Sequence, residues 1–175
     1  SWRRLREPGG HRPLLPFDRA AAGHAAGRRV DRDERRQLGR AIAFHGSNPE
    51  SPLKAGVLYA GTDDGRVHVT LDGGAKWTEI TAGLPYNKHV WCITASKYDA
   101  GTVYVSLIGR HDDDFNPYLF KSADYGKTWT SIAANLPGGP TNVIREDTKK
   151  SNVLYCGTDI GAYVTTDGAK TWTVL

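Results

Sequence analysis

No methionine occurs anywhere in the 175 residues, and the chain opens on Ser1, so a trimmed or partial translation product is expected. Only two cysteines are present, Cys92 and Cys156. Their spacing fits no zinc or redox motif, and both sit in apolar runs, so buried thiols are expected. A bridge between neighbouring sheets has nothing in the sequence to support it, and the redox compartment stays open. No apolar run approaches the length of a membrane span, which excludes a helical membrane anchor in this chain. A signal-peptide core with a small-residue cleavage pattern is missing too, and with it any statement of localisation.

Lysine is absent from residues 1–40, which hold eleven arginines against five acids. Residues 41–175 carry twelve bases against fourteen acids. The pI near 9.1 therefore belongs to an N-terminal arm and not to the folded part. That arm, residues 1–37, is rich in Arg, Ala, Gly and Pro, poor in periodic apolar residues, and expected to be poorly ordered. Its arginines are not interleaved with a run of aromatics, so nucleic acid is an unfavoured partner.

What is present is an internal repeat. Thr70-Leu71-Asp72-Gly73-Gly74-Ala75-Lys76-Trp77 recurs as Ser122-Ala123-Asp124-Tyr125-Gly126-Lys127-Thr128-Trp129. It recurs again as Thr165-Thr166-Asp167-Gly168-Ala169-Lys170-Thr171-Trp172, with Ala169 where the other copies have glycine. Each residue type suits a tight hairpin. The carboxylate accepts backbone N–H groups, the hydroxyl closes the other side, and glycine permits a left-handed backbone. Tryptophan supplies an apolar wedge between adjacent sheets. These roles are structural, so Asp72, Asp124 and Asp167 are not candidates for catalysis. Upstream, Val57-Leu58-Tyr59-Ala60-Gly61-Thr62 matches Val153-Leu154-Tyr155-Cys156-Gly157-Thr158, with Thr102–Ser106 a looser copy. The pattern predicts an all-β chain of three four-stranded antiparallel propeller blades, about 38–84, 88–138 and 139–175. Innermost strands are expected at Arg40–His45, Val90–Ser96 and Asn142–Glu146.

The copies resemble the BNR or Asp-box repeat, S/T-x-D-x-G-x-x-W, of sialidases, sortilin-type propellers and xyloglucanase-type glycosidases. Residues 51–175 are similar to the C-terminal blades of bacterial proteins labelled glycosyl hydrolase, BNR repeat, or sortilin-like. The segments that carry this are Ser51-Pro52-Leu53-Lys54-Ala55-Gly56, Gly61-Thr62-Asp63-Asp64-Gly65, Phe115-Asn116-Pro117-Tyr118, Asp124–Trp129 and Asn142–Asp147. The resemblance implies a propeller fold and, by analogy only, a hydrolase. It also implies that chemistry lies in loops at the mouth of a central channel. Three blades are too few to close a ring, which leads to the expectation of self-association, most simply two chains in one six-bladed ring.

The longest inter-strand loop is expected at Gly109–Pro117. Within it, Asp112, Asp114 and Asn116 have the D-x-D-x-N spacing that opens many calcium loops. Pro117 stands where glycine is usual and no bidentate glutamate follows, so a solvated acidic loop is the competing reading. Asp63-Asp64 and Asp159 lie in turns of matching position, where Asp before Gly is ordinarily turn chemistry. Facing a common channel, these carboxylates with Asp113 would supply an acid and a base for hydrolysis, with His111 a candidate general base. A bound cation would instead polarise an ester or lactone carbonyl. His68 aligns with Phe120 and Tyr163 and reads as a packing residue. No G-x-S-x-G elbow exists, and the repeats hold too few arginines for a sialidase. Two functions follow: a hydrolase of a sugar, lactone or similar small substrate, with Ca2+ as its candidate cofactor, or a non-catalytic module that binds a glycan or a protein.

Overall fold

The computed structural model describes residues 49–175. The arm at 1–37 and the strand expected at Arg40–His45 lie outside the described residues.

Among the described residues, eleven strands form three consecutive antiparallel sheets. The first holds β1 (Leu58–Gly61), β2 (Val67–Thr70) and β3 (Thr78–Glu79), with a bridge from Glu50 to Leu58. The second holds β4 (His89–Ala95), β5 (Val103–Gly109), β6 (Asp114–Ser122) and β7 (Thr130–Ser131). The third holds β8 (Thr141–Glu146), β9 (Leu154–Thr158), β10 (Gly161–Thr165) and β11 (Thr173–Val174). Strands are hydrogen-bonded in chain order within each sheet, the meander of a propeller blade.

The second sheet departs from the sequence expectation at two points. The loop expected at Gly109–Pro117 is mostly strand, because β6 starts at Asp114 and a single 3-10 turn, Arg110–Asp112, joins it to β5. The inner strand expected at Val90–Ser96 is displaced by one residue, β4 running from His89 to Ala95.

The sheets are held together by apolar faces. One cluster joins Val57, Tyr59, Val67, Val69 and Ile80 of the first sheet to Val90, Ile93, Val103, Val105 and Leu107 of the second. Another joins Tyr104, Leu119 and Ile132 of the second to Ile144, Leu154, Cys156, Tyr163 and Trp172 of the third. Odd residues of β5 thus face one neighbour while Tyr104 faces the other, which is why every residue of β5 is buried. Cys92 and Cys156 are buried thiols outside any disulfide, and burial pushes the Cys156 thiol up to about 12. His68 is buried in β2 opposite Ala60 and Glu79, as a packing residue should be.

The tryptophans also tie sheet to sheet. Trp129 Nε1–H donates to the Ile80 carbonyl of the preceding sheet at 2.7 Å. Trp172 Nε1–H does the same to Ile132 at 2.8 Å.

Candidate functional site

Antiparallel strands send successive turns to opposite ends of a sheet. The three repeat hairpins therefore share one end with the β4–β5 and β8–β9 turns. The β1–β2, β5–β6 and β9–β10 turns share the other with the connections between sheets. All eight candidate residues, Asp63, Asp64, His111, Asp112, Asp113, Asp114, Asn116 and Asp159, fall at or beside this second end.

Lys88, in the connection entering the second sheet, organises part of it. Its ammonium sits 2.8 Å from Asp114 Oδ2 and 3.2 Å from Asp112 Oδ2, with the side chain only 13% exposed. Asp114 also accepts the Tyr118 hydroxyl at 2.6 Å, and the Asn116 amide N–H groups at 2.8 and 3.1 Å. Lys88 first, then Tyr118, hold Asp114 well below the usual carboxylate range, and Asp114 in turn raises Lys88. Gly109 makes this approach possible, since a Cβ there would lie 2.9 Å from Asp114 Cβ and 3.0 Å from Lys88 Nζ. Asp113 occupies the left-handed region at φ 55° and closes the 3-10 turn. His111 stacks on His89 with ring centroids 4.4 Å apart.

The third sheet contributes Asp159. Arg110 Nη2 contacts both its oxygens, at 2.5 and 2.6 Å, and Asn142 Nδ2–H donates to Oδ1 at 2.7 Å. Asn142 is the extra residue of a β-bulge between Thr141 and Val143, and a bulge re-aims a side chain. An equivalent bulge lies between Val90 and Cys92 in β4. Asp64 accepts the Thr62 hydroxyl and pairs with Arg66 at 3.4 Å within its own turn, while Asp63 is exposed.

The structure thus joins Asp112 to Asp114 through Lys88, and Arg110 to Asp159 across two sheets. Asp63 and Asp64 stay in a separate turn. Among the described residues, no three His, Cys, Asp or Glu side chains converge as a metal-holding group. Neither Lys88 nor Asn142 is among the site residues expected from sequence: Lys88 lies in no motif, and Asn142 reads only as the start of an inner strand. A surface groove of about 480 Å³ opens beside Asp159, lined by Phe115, Asn116, Gly138, Gly139, Pro140 and Ile160. Backbone bonds pin its walls: Gly139 N–H to the Phe115 carbonyl at 2.7 Å and Asp159 N–H to the Pro140 carbonyl at 3.3 Å. Phe115 and Ile160 remain 54% and 61% exposed.

A chain of repeated four-stranded meanders packed face to face, with polar turns gathered at one end, is a stack of β-propeller blades. Solved structures agree. An ancestral GH74 enzyme matches with a TM-score of 0.56 at 19% identity, covering 77% of this chain and 18% of its own. YCF48 from Cyanidioschyzon merolae matches with a TM-score of 0.56 at 21% identity, covering 77% and 37%. A structure of YCF48 bound to D1 peptide matches with a TM-score of 0.51 at 19% identity, covering 77% and 46%. This chain therefore spans less than half the length of each, and the likeness establishes the fold. No protein-family model matches the sequence. No curated protein matches it either.

Proposed function

We propose that these blades form a non-catalytic binding module that holds an apolar-anchored peptide segment in the groove between the second and third sheets. The observation that carries this is the pairing of exposed Phe115 and Ile160 across a groove with rigid backbone walls. Small apolar clefts with a few fixed polar groups suit a side-chain anchor. Asn116 and Asp159 supply polar contacts at its rim.

Hydrolysis by paired carboxyls asks for one that is protonated at neutral pH. Asp114 is driven the other way by Lys88, and Asp159 is engaged by Arg110 and Asn142. A calcium ion at Asp112, Asp114 and Asn116 competes with the Lys88 ammonium already bridging the two carboxylates. Likeness to both a glycosidase and a peptide-bound protein is compatible with either use of the fold. We read the repeat hairpins as Asp boxes, supported by their shared hydrogen bonds, and the blades as part of a ring completed by self-association.

The test is a displayed peptide library selected on purified protein, with glycoside, lactone and ester panels run alongside, each with calcium or with a chelator. Selected peptides should bind the unaltered protein and lose affinity tenfold or more with Ile160→Asp, whose exposed position spares the fold. Calcium should leave binding unchanged. Turnover of any panel substrate that Asp112→Asn or Asp114→Asn abolishes would sink the proposal and restore the hydrolase. Glycan binding at the groove without peptide binding would also overturn it.

A further inference from the structure

The groove beside Asp159 lies where the repeat departs from itself. Val90 and Thr141 hold equivalent places, each just before the bulge of an inner strand. Tyr86-Asn87-Lys88-His89 leads from Pro85 to Val90, whereas only Gly138-Gly139-Pro140 leads from Pro137 to Thr141. The connection into the third sheet is thus shorter and brings no polar or charged side chain. Ile160 stands in Thr158-Asp159-Ile160-Gly161 where the first sheet has Asp64 in Thr62-Asp63-Asp64-Gly65. Both departures remove charge at one spot, and both fall in the lining of the groove. A Cβ added at Gly138 would meet nothing within 4 Å. The floor is therefore open backbone, framed by the exposed side chains of Phe115 and Ile160.

Around this apolar spot the charge is of one sign. The turns and connections at this end, with Asp114 beside them, carry six aspartates against three cations, Arg66, Lys88 and Arg110. The rest of residues 49–175 is close to balance, with eight acids and nine bases. Arg66 is shared by Asp64 and Glu79, Lys88 is shared by Asp112 and Asp114, and Arg110 is taken by Asp159. Asp112 keeps 53% of its side chain exposed. Asp113 is exposed and pairs with no cation among the described residues. It lies two residues before Phe115, at most about 7 Å of chain away.

We infer that the partner held in this groove is a cationic peptide segment: an apolar side chain seats over Gly138 between Phe115 and Ile160, and a Lys or Arg within two residues of it meets Asp112 and Asp113. This rests on the peptide-binding reading above and names the charge its partner carries. Charges at the rim of an interface set association rate and partner choice, and salt screens them. An acidic segment would bring like charge to the same rim, which selects against it.

The experiment pans a displayed peptide library on the full chain, with a central Leu or Phe and random residues on either side, at about 50 and 500 mM salt. Peptides count only where they are lost on Gly138→Tyr, checked for unchanged β-sheet circular dichroism, with Ile160→Asp as a second block of the groove. At low salt the flanks should hold about threefold more Lys and Arg than Asp and Glu. Such a peptide should weaken about tenfold at high salt, and about fivefold with Asp112→Asn and Asp113→Asn combined. Asparagine tolerates the left-handed backbone at position 113, so this variant removes charge and keeps shape. Neutral or acidic flanks, or groove-dependent peptides indifferent to salt and to the double variant, overturn the cationic partner and leave the groove reading standing. If no peptide distinguishes the parent from both Gly138→Tyr and Ile160→Asp, both readings fall.

Discussion

Three tyrosines hold the same register position in their sheets. Tyr59, Tyr104 and Tyr155 face Val69, Lys121 and Val164 across the second and third strands. Their hydroxyls meet different fates. Tyr104 donates to Glu146 Oε1 at 3.0 Å on the next sheet, and Tyr155 donates to Asp147 Oδ2 at 3.1 Å. Tyr59 has no acceptor among the described residues although its hydroxyl is buried. The cause is legible in the register. Glu146 lies opposite Leu154 and Ala95 lies opposite Val103, so Ala95 fills the place where the second sheet would need a carboxylate. Burial raises both Tyr59 and Tyr104, and Glu146 raises Tyr104 further, so neither ionises near neutral pH. Removing an unmade hydroxyl relieves a desolvation cost, whereas removing a made one loses a bond. Tyr59→Phe should therefore leave stability unchanged or raise it by up to about 1 kcal/mol, and Tyr104→Phe should lower it by about 1–2 kcal/mol. Urea titrations of both variants check the pair, and equal losses would refute the assignment.

Among elements, the repeat hairpins carry the clearest agreement between sequence and structure. In all three the hydroxyl of Thr70, Ser122 or Thr165 donates to the aspartate at 2.7 Å. The same oxygen accepts the N–H of Gly74, Gly126 or Ala169 at 2.8–3.0 Å. Each aspartate then accepts the N–H four residues on, from Lys76, Thr128 or Thr171. Local chemistry of this kind is legible because every partner lies within four residues. The site is legible only in part for the opposite reason. Lys88 meets Asp112 24 residues away, and Arg110 meets Asp159 49 residues away, separations set by sheet packing. The early start of β6 was hidden likewise, since it depends on an irregular register between Leu107 and Gly109. The hairpins also dictate an acid response. Backbone donation from Thr128 leads the causes that bring Asp124 to about 2 from 3.8. Asp72 and Asp167 are lowered as well, chiefly by Lys76 and Thr171. A depressed carboxylate contributes stability that is complete above its unfolded value and lost as pH falls through the folded one. The thermal midpoint should thus hold above pH 4 and fall between pH 4 and about 2. Calorimetry of a variant with all three aspartates changed to Asn should show a lower midpoint at pH 7 and a flatter profile in that window.

At the scale of the whole molecule, the main strand contacts among the described residues run within a sheet or between consecutive sheets, so stability is a chain of sheet-to-sheet couplings. The couplings are unequal. The first and second sheets share the Trp129 bond to Ile80 and a bond from Val90 N–H to the Thr62 carbonyl at 3.2 Å. The second and third share the Trp172 bond and a buried carboxylate in addition. Glu146 accepts the Ser96 hydroxyl at 2.6 Å, the Lys97 N–H at 2.7 Å and the Tyr104 hydroxyl at 3.0 Å. Glu146→Ala strands all three donors at once, which should cost about 3 kcal/mol. Because the sheets couple chiefly to their immediate neighbours, that loss falls on one junction. Hydrogen exchange read by mass spectrometry should show β8–β11 opening ahead of β4–β7 in the variant, with protection of the first sheet unchanged. Glu146→Gln keeps an acceptor oxygen and should restore most of the coupling. Uniform loss of protection across all three sheets would mean that the blades fold as one unit and that Glu146 is not a local hinge between them.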